Sequence, residues 1–331
     1  MLANLLRKRE ERAMQVTTFG AWGQGSSSES GVHVDIPSAL QLLTVYGCVG
    51  LISNTISTLP LDVFRKSASG AIPVPTPLWM ERPNEYCDIV EFLTQAISSL
   101  LLNGNAYIAV GSDNGMVSQI ATIDPALVTV RDNRGVPEYL VRGVPVTSRF
   151  VHLKAWTLPG SMRGVDPINA ARQAIGLGLA YQKFGSKFFA NGSNLGGVIS
   201  FPGSPSADSM EVLKQKWGRD HQGLDKAHNP GILTEGATWT QTTVSPEQAQ
   251  FLQSQQFSQA TIAGQLFFVD PTLLGIVAAS SSLTYANLEQ RGIHLTQFTL
   301  LPWIVRLERM FSALLPRPQY AKFNVEGLQR A

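Results

Sequence analysis

Residues 166–192 read DPINAARQAIGLGLAYQKFGSKFFANG. Asp166 offers a capping side chain, and Pro167 suits the first helical position, where its missing N–H is no loss. Ile168, Ala171, Ile175 and Leu179 then recur on one face. Asn191-Gly192 is a stop signal. The spacing predicts a helix over 166–190, roughly 36 Å long at 1.5 Å per residue. A compact insert follows over 191–244. Residues 197–201, 231–234 and 238–244 read as strands. Residues 208–218 read as a helix, with Asp208 and Glu211 at capping-box spacing and Met210, Leu213 and Trp217 on its apolar face. Ser245-Pro246-Glu247 opens a second long helix, to residue 268, with a cap, a proline at the first position and an acid at the positive end. Two long helices therefore bracket a small insert.

Order upstream begins near residue 37. Ser38 is read as the cap of a helix running to residue 58, with Leu42, Val45, Val49, Ile52 and Ile56 on its buried face. Residues 61–65 alternate as a strand, and 66–77 read as a loop rich in Ser, Gly and Pro. Asp88 caps a second helix that Asn103-Gly104 stops. Short alternating segments follow at 106–110, 119–123, 127–131, 139–142 and 150–153, separated by turn pairs such as Asn114-Gly115 and Arg134-Gly135. The expectation is one small antiparallel sheet beside two helices, an α+β domain over 37–163. Residues 1–36 are expected to be a flexible N-terminal arm: a basic helix, then a Gly/Ser-rich stretch that cannot bury enough surface to order itself. Residues 269–284 read as a loop of small residues. Residues 285–315 read as a long helix bent at Pro302, with Ile304, Leu307, Phe311 and Leu314 as its stripe, and 321–325 as a late strand.

Composition narrows the function classes. Of 331 residues 44% are hydrophobic but only 15% are charged, well under the roughly 25% usual for soluble domains. A chain of this length with so few charges is expected to cover much of its surface with partners, hence an oligomer. The net charge of +2 is not the footprint of a protein that grips phosphates. The start, MLANLLRKREERAM, is charged where a secretory signal is apolar. No apolar run approaches the roughly 18 residues of a membrane span. Cys48 and Cys87 have no CxxC partner spacing and are expected to be reduced thiols.

Catalytic constellations are missing from the sequence. There is no GxxxxGK[ST] phosphate loop and no GxSxG elbow. Gly176 and Gly178 lie inside a helical pattern without a third glycine, so close helix packing is their expected role. His33, His152, His221, His228 and His294 are scattered, and His221 and His228 lack the ligands that would complete a zinc set. No catalytic residue, cofactor or metal is expected. The second bracketing helix is unusual: residues 248–265 hold seven glutamines and no charge. A polar, uncharged helix suits a ring of packed like helices or a wall that must not hold a polyanion; chance bias is the plain alternative.

Several segments together resemble the portal (connector) family of long-tailed phages and gene transfer agents. They include Val45-Tyr46-Gly47-Cys48-Val49 with Ile52-Ser53, Leu59-Pro60-Leu61, Arg82-Pro83-Asn84 and Leu102-Asn103-Gly104-Asn105-Ala106-Tyr107. Phe188-Phe189-Ala190-Asn191-Gly192 with Gly196-Gly197-Val198 is the clearest. Ser245-Pro246-Glu247 with Gln250-Phe251, Leu273-Leu274-Gly275, Tyr285-Ala286-Asn287-Leu288-Glu289-Gln290 and Thr299-Leu300-Leu301-Pro302-Trp303 complete the set. No one segment is diagnostic; their order across 38–330 is.

The resemblance implies an α+β portal subunit in a ring of about twelve. It has a wing (37–163), a stem helix (164–190), a clip (191–244), a second stem helix (245–268), a tunnel loop (269–284) and a return into the wing (285–331). The chain stops at Ala331, where the family continues into crown helices, so no crown is expected from these residues. Asp270-Pro271 stands where the family tends to have consecutive prolines. The implied function is a channel at one capsid vertex of the virion for packaging and ejecting DNA. The implied partners are double-stranded DNA, weakly bound, the terminase large subunit, a head-tail adaptor and the major capsid or scaffold protein, with no membrane. Such a channel must not bind phosphates tightly, because each neutralised phosphate adds a stop along the path. Ala278, Ala279, Ser280, Ser281, Ser282 and Thr284 are expected to approach the DNA, Gln248, Gln255 and Gln259 to line the stem, and Lys214, Lys216 and Arg219 to form a clip surface for the motor or adaptor. An ordinary flexible loop and a solvated basic face are the bland alternatives for the first and last sets. The rival functions are a shorter head-tail ring adaptor, which would lack the helix pair, and a soluble α+β enzyme, which would be a monomer or dimer with a deep polar pocket.

Overall fold

A computed structural model describes residues 26–68, 70–190, 197–200, 210–212, 215, 238–241, 247–276 and 285–329. The chain divides into two compact units, the first from Met1–Gly176 and Gln259–Ala331 and the second from Leu177–Ser258. In chain order the strands and main helices begin with β1 (Ser26–Ser27), β2 (His33–Val34), α1 (Leu43–Ser57), β3 (Leu61–Ser67), β4 (Gly70–Val74) and α2 (Ile89–Asn103). Then come β5 (Asn105–Asp113), β6 (Met116–Ile123), β7 (Val128–Asn133), β8 (Val136–Val141), β9 (Val144–Pro145), β10 (Phe150–Lys154) and α3 (Arg172–Ala190). After β11 (Gly197–Ser200) and β12 (Thr238–Gln241), the chain continues through α4 (Glu247–Thr261), α5 (Tyr285–His294), α6 (Leu301–Leu314) and β13 (Gln319–Phe323). The fold is α+β, and among the described residues the named strands all pair antiparallel.

The strand segments do not make one sheet. They form three sheets of three strands, in the orders β10-β5-β6, β7-β8-β9 and β13-β3-β4. The turn pairs behave as their residues require. Asn114-Gly115, Arg134-Gly135 and Arg142-Gly143 all have positive φ at both positions, the geometry of tight hairpin turns that match the twist of the strands. The strand β4 lies in the stretch read as a loop. Its sequence GAIPV has no alternation, and Pro73 is tolerated because β4 is an edge. The strand β13 arrives from the far end of the chain and pairs Gln319 to Phe323 with Arg65 to Leu61. Its other edge is closed by α6: the Ala321 amide donates to Ser312 Oγ (3.0 Å) and the Phe323 amide to Glu308 Oε1 (2.9 Å). An open edge would otherwise present unpaired N–H groups.

The core forms where α1, α2 and α6 meet. Val45, Val49, Ile52 and Ile56 of α1 are buried on the expected face, as are Ile304, Leu307, Phe311 and Leu314 of α6. Phe311 stacks on Trp79 and tilts against Phe92. Each such side chain contributes about 1.5–3 kcal/mol by burial. Two helix starts differ from expectation. Asp35, not Ser38, is the first cap. Its carboxylate accepts the Ser38 amide (2.8 Å) while Ser38 Oγ accepts the Asp35 amide (2.9 Å), a reciprocal box that opens only a short turn over Ile36–Ala39. The chain is extended at Leu42 before α1 begins. Likewise Asp166 caps a turn over Pro167–Ala170, and Ala171 departs from helical geometry before α3. Residues 26–34, placed in the flexible arm from composition, form the β1–β2 hairpin. Residues 1–25 of that arm lie outside the described residues.

The segment Asn103-Gly104-Asn105 joins α2, β5 and the approach to α3. Gly104 ends α2 in the left-handed region (φ 74°), a conformation that favours glycine. A Cβ there would stand 1.9 Å from the Val165 carbonyl oxygen, and one at Gly164 would stand 2.1 Å from the Gly104 oxygen. Asn105, 1% exposed, satisfies the groups enclosed by this contact. Its amide donates to the carbonyls of Asn103 (2.9 Å) and Gly164 (3.1 Å), and its Oδ1 accepts from the Gly164 amide (2.6 Å). Because Oδ1 can only accept, His152 Nε2 carries the proton it shares with it (2.9 Å), and His152 Nδ1 accepts from the Tyr139 hydroxyl (3.1 Å). The imidazole stacks on Tyr107 at 4.4 Å. Burial, with Lys154 and Arg163 adding repulsion, pulls the His152 pKa down to about 3.

Two outcomes follow from this hub. Gly104→Ala imposes both a disfavoured φ and a backbone clash and should cost about 3 kcal/mol or more, read as a fall in the urea midpoint at constant m-value. The folded pKa of His152 lies below its ordinary 6.5, so the unfolded chain binds the proton first as the pH drops. Its contribution to stability is therefore complete above about pH 6.5 and declines toward pH 3. His152→Gln should flatten that part of a stability–pH curve; an unchanged slope would assign it to other groups.

Candidate functional site

The helices α3 and α4 lead into and out of the second unit. Within that unit β11 and β12 pair Gly197 to Ser200 with Gln241 to Thr238. The Ser200 and Thr238 hydroxyls bond across this ladder at 2.8 Å. Residues 210–212 and 215 are helical, as expected for part of 208–218. The rest of that helix, the strand expected at 231–234 and the Ser245 cap lie outside the described residues.

The chain returns through α4, which passes into a π-helix over Ile262–Leu266. Such wide turns occur often at functional sites. Ile262, Ala263, Phe267 and Val269 are buried, yet Phe268 between the last two is 62% exposed and has φ 55°. A bulky residue in the left-handed region is unusual and needs neighbours to hold it. Here the Val269 amide donates to the Ala263 carbonyl (2.9 Å), and the buried Thr299 hydroxyl donates to the Phe268 carbonyl. Thr299 belongs to a second π-helix, Leu295–Leu300, just before Pro302. The bend expected at Pro302 is thus a π segment preceding it, which accommodates the missing proline N–H.

Asp270 then caps a 3-10 turn over Pro271–Leu274. Its carboxylate accepts the Thr272 amide (2.9 Å) and hydroxyl (2.7 Å) and pairs with Arg291 Nε of α5 (3.4 Å). Arg291 Nη1 donates to the same Thr272 hydroxyl (2.7 Å). The Asp270–Thr272–Arg291 network thereby ties together the residues on either side of segment 277–284. The 3-10 turn rests on α1, where a Cβ on Gly47 would come within 3.2 Å of Leu274 Cδ2. Beside it opens a cleft of about 700 Å³, lined by Phe268, Arg291, His294 and Phe298 among others. Asp270 neutralises Arg291, so the cleft does not present a free guanidinium charge.

The expected site residues fall in two groups. Gln255 and Gln259 stand one turn apart on α4, both half-buried. Gln248 lies in the first turn of α4, and its side chain is outside the described residues. Ala278, Ala279, Ser280, Ser281, Ser282, Thr284, Lys214, Lys216 and Arg219 also lie outside them. The network at the roots of the loop was not among the expected sites. Its signal in the sequence was Asp270-Pro271, the same cap-and-proline pair as Asp166-Pro167. Among the described residues no cluster of three His, Cys, Asp or Glu could hold a metal. Neither Cys48 nor Cys87 is in a disulfide, and burial pushes Cys48 up to about 12, the opposite of an activated nucleophile.

The α3 and α4 segments lead out of and back into one α+β unit, the chain order of a connector-type subunit. The sequence model of the phage portal protein family matches residues 43–331, and the chain belongs to that family. The probable portal protein of Streptomyces phage phiC31 is 33% identical over 344 residues, covering 97% of this chain and 75% of that protein. The portal protein of Enterobacteria phage HK97 is 28% identical over 335 residues, covering 95% and 76%. In fold, the chain is similar to an HK97-family phage portal protein from Corynebacterium diphtheriae (TM-score 0.66, 15% identity, 89% of this chain and 97% of that one). It is also similar to a chain in the neck of an empty gene transfer agent particle (TM-score 0.64, 20% identity, 92% and 87%).

The loop-root network gives a measurable coupling. Arg291→Ala should destabilise by about 1–3 kcal/mol. A double-mutant cycle with Asp270→Ala should return a coupling of about 1 kcal/mol, measured by chemical denaturation.

Proposed function

We propose that copies of this chain form a closed ring of about twelve subunits at one vertex of a phage capsid, the channel through which double-stranded DNA is packaged and later ejected. The observation that carries this is the family match across 43–331 together with the helix–insert–helix return that a head-tail adaptor or a compact enzyme would not need. One neck structure similar in fold was computed with C12 symmetry, and another such likeness is to a chain of a gene transfer agent virion.

On this reading residues 37–163 with 285–331 are the wing and residues 1–36 precede it. Residues 164–190 and 245–268 are the stem, 191–244 the clip and 269–284 the tunnel loop. The protein does no bond chemistry; a terminase large subunit docks at the clip and hydrolyses nucleotide. A head-tail adaptor takes the same seat once packaging ends, and the wing meets the major capsid or scaffold protein. DNA passes Ala278, Ala279, Ser280, Ser281, Ser282 and Thr284, which offer small, uncharged contacts. Gln248, Gln255 and Gln259 give the stem a polar wall without cations. A low charge fraction supports both a large covered ring interface and weak phosphate contact. Lys214, Lys216 and Arg219 are the cationic face offered to the motor or adaptor.

Native mass spectrometry at moderate salt tests the ring. A single species near twelve subunits is expected, and a monomer from both this chain and a longer one would refute it. In the same assay, Lys214→Glu, Lys216→Glu and Arg219→Glu together should leave the ring mass intact, while DNA packaging, read separately as nuclease-protected DNA in particles, falls. Undiminished packaging would remove these residues from the docking surface.

A further inference from the structure

The hairpin β1–β2 is held against α3 by a fit that composition gave no reason to expect. Within the hairpin, the Ser28 amide donates to the Val32 carbonyl (2.9 Å), and Gly31 turns the chain with φ 74°. The Ser28 hydroxyl bonds to the Val32 carbonyl and the Ser30 hydroxyl, both at 2.8 Å. Ser28 is only 6% exposed, although it lies in the run SSSES. What covers it is the second turn of α3. A Cβ on Gly176 would stand 2.3 Å from Ser28 Oγ and 2.5 Å from Ser28 Cβ. One turn earlier, Gln173 Oε1 accepts the Glu29 amide at 2.9 Å. Downstream, Val34 and Ile36 are buried, and the Asp35–Ser38 box fixes the exit of the hairpin.

We propose that residues 26–34 are a strap, that Gly176 is the notch in α3 which seats it, and that the strap makes the N-terminal segment a support for the root of this helix. The steric argument is specific. Rotating the Ser28 side chain would move its hydroxyl away from an added methyl group but would leave its Cβ at 2.5 Å. The hairpin backbone itself would have to lift. Gly176 is also the last residue of the first compact unit before the chain passes into the second, so the strap grips α3 at the end of its segment in the first unit. Glycine in mid-helix is intrinsically unfavourable; here its use is explained by the backbone approach it allows.

The Glu29 amide reports seating directly, because its acceptor belongs to α3 rather than to the hairpin. Hydrogen exchange on the purified protein should show peptides covering 26–34 protected in the native chain. In Gly176→Ala, exchange there should accelerate on the order of tenfold or more while α2 keeps its protection. Alanine favours the helix intrinsically, so such a change cannot come from weakened α3. Gln173→Ala should speed the Glu29 amide alone. The decisive variant is Ser28→Gly combined with Gly176→Ala, which moves the missing side chain from one partner to the other and should restore protection. Unchanged exchange in Gly176→Ala, or no rescue by Ser28→Gly, would overturn the strap. The measurement does not depend on the portal reading and can fail while that reading stands.

Discussion

The backbones of Gly104 and Gly164 are in contact, and neither could carry a side chain in its present conformation. This approach brings four things to one point: the end of α2, the first residue of β5, the end of the connection from β10 and the start of the helical segment that becomes α3. Backbone groups shut away from water at such a crossing must find partners. Asn105 supplies them: its amide donates to the carbonyls of both segments, at Asn103 and Gly164, and its Oδ1 accepts the Gly164 amide. His152 completes the account as a neutral ring that donates to Asn105 and accepts from Tyr139. The approach of residues 164–166 to the end of α2 is therefore set by hydrogen bonds of defined geometry, with apolar burial supplying the bulk of the stability around them.

The return of the chain is built differently. Here the strained element is Phe268, turned outward between buried neighbours, and the helices on both sides give up α geometry for a few residues. A π turn leaves a helix with one extra residue, which changes which face the following residues present. In α4 this ends the helix with Ile262 and Ala263 buried and the Val269 amide satisfied by Ala263. Before Pro302 it absorbs the missing N–H. The Asp270–Thr272–Arg291 network then joins residues on either side of 277–284 with the two charges paired, so the strained Phe268 lies close in sequence to a fixed point.

The legible parts of this fold were those fixed by local chemistry. Asp88 and Gly104 bounded α2, Asp166-Pro167 opened a helical segment, and Asn114-Gly115 and Arg134-Gly135 marked hairpins, because capping and positive φ depend on neighbours in sequence. The apolar stripes of α1 and α6 were legible through periodicity. What was missed depends on distant partners. The strand β4 exists because β3 pairs with it, despite a sequence without alternation. The division into three sheets follows from register and packing that no single strand encodes. Ser28 is buried because Gly176, far along the chain, makes room for it. The Arg291–Asp270 pair spans 21 positions and carries no motif beyond the Asp-Pro cap.

The chain crosses between its compact units twice, after Gly176 and before Gln259, and both crossings lie close to fixed points of the first unit. At Gly176 the β1–β2 hairpin packs on α3. A few residues past Gln259, buried Ile262 and Ala263 lead into Phe268, whose carbonyl is held by Thr299. A helix fixed only along its flank would transmit a pull on its far end as local fraying, since the terminal turns of a helix are its least stable part. A helix whose last turn inside a unit is gripped transmits the same pull to the unit's core. On the proposed reading, a motor would act on residues 191–244 and DNA on residues 269–284. A force there would reach the wing through α3 at the strap and through α4 at the π turn. Both seats are formed by backbone and side-chain contacts within one subunit, so neither needs a closed ring in order to form.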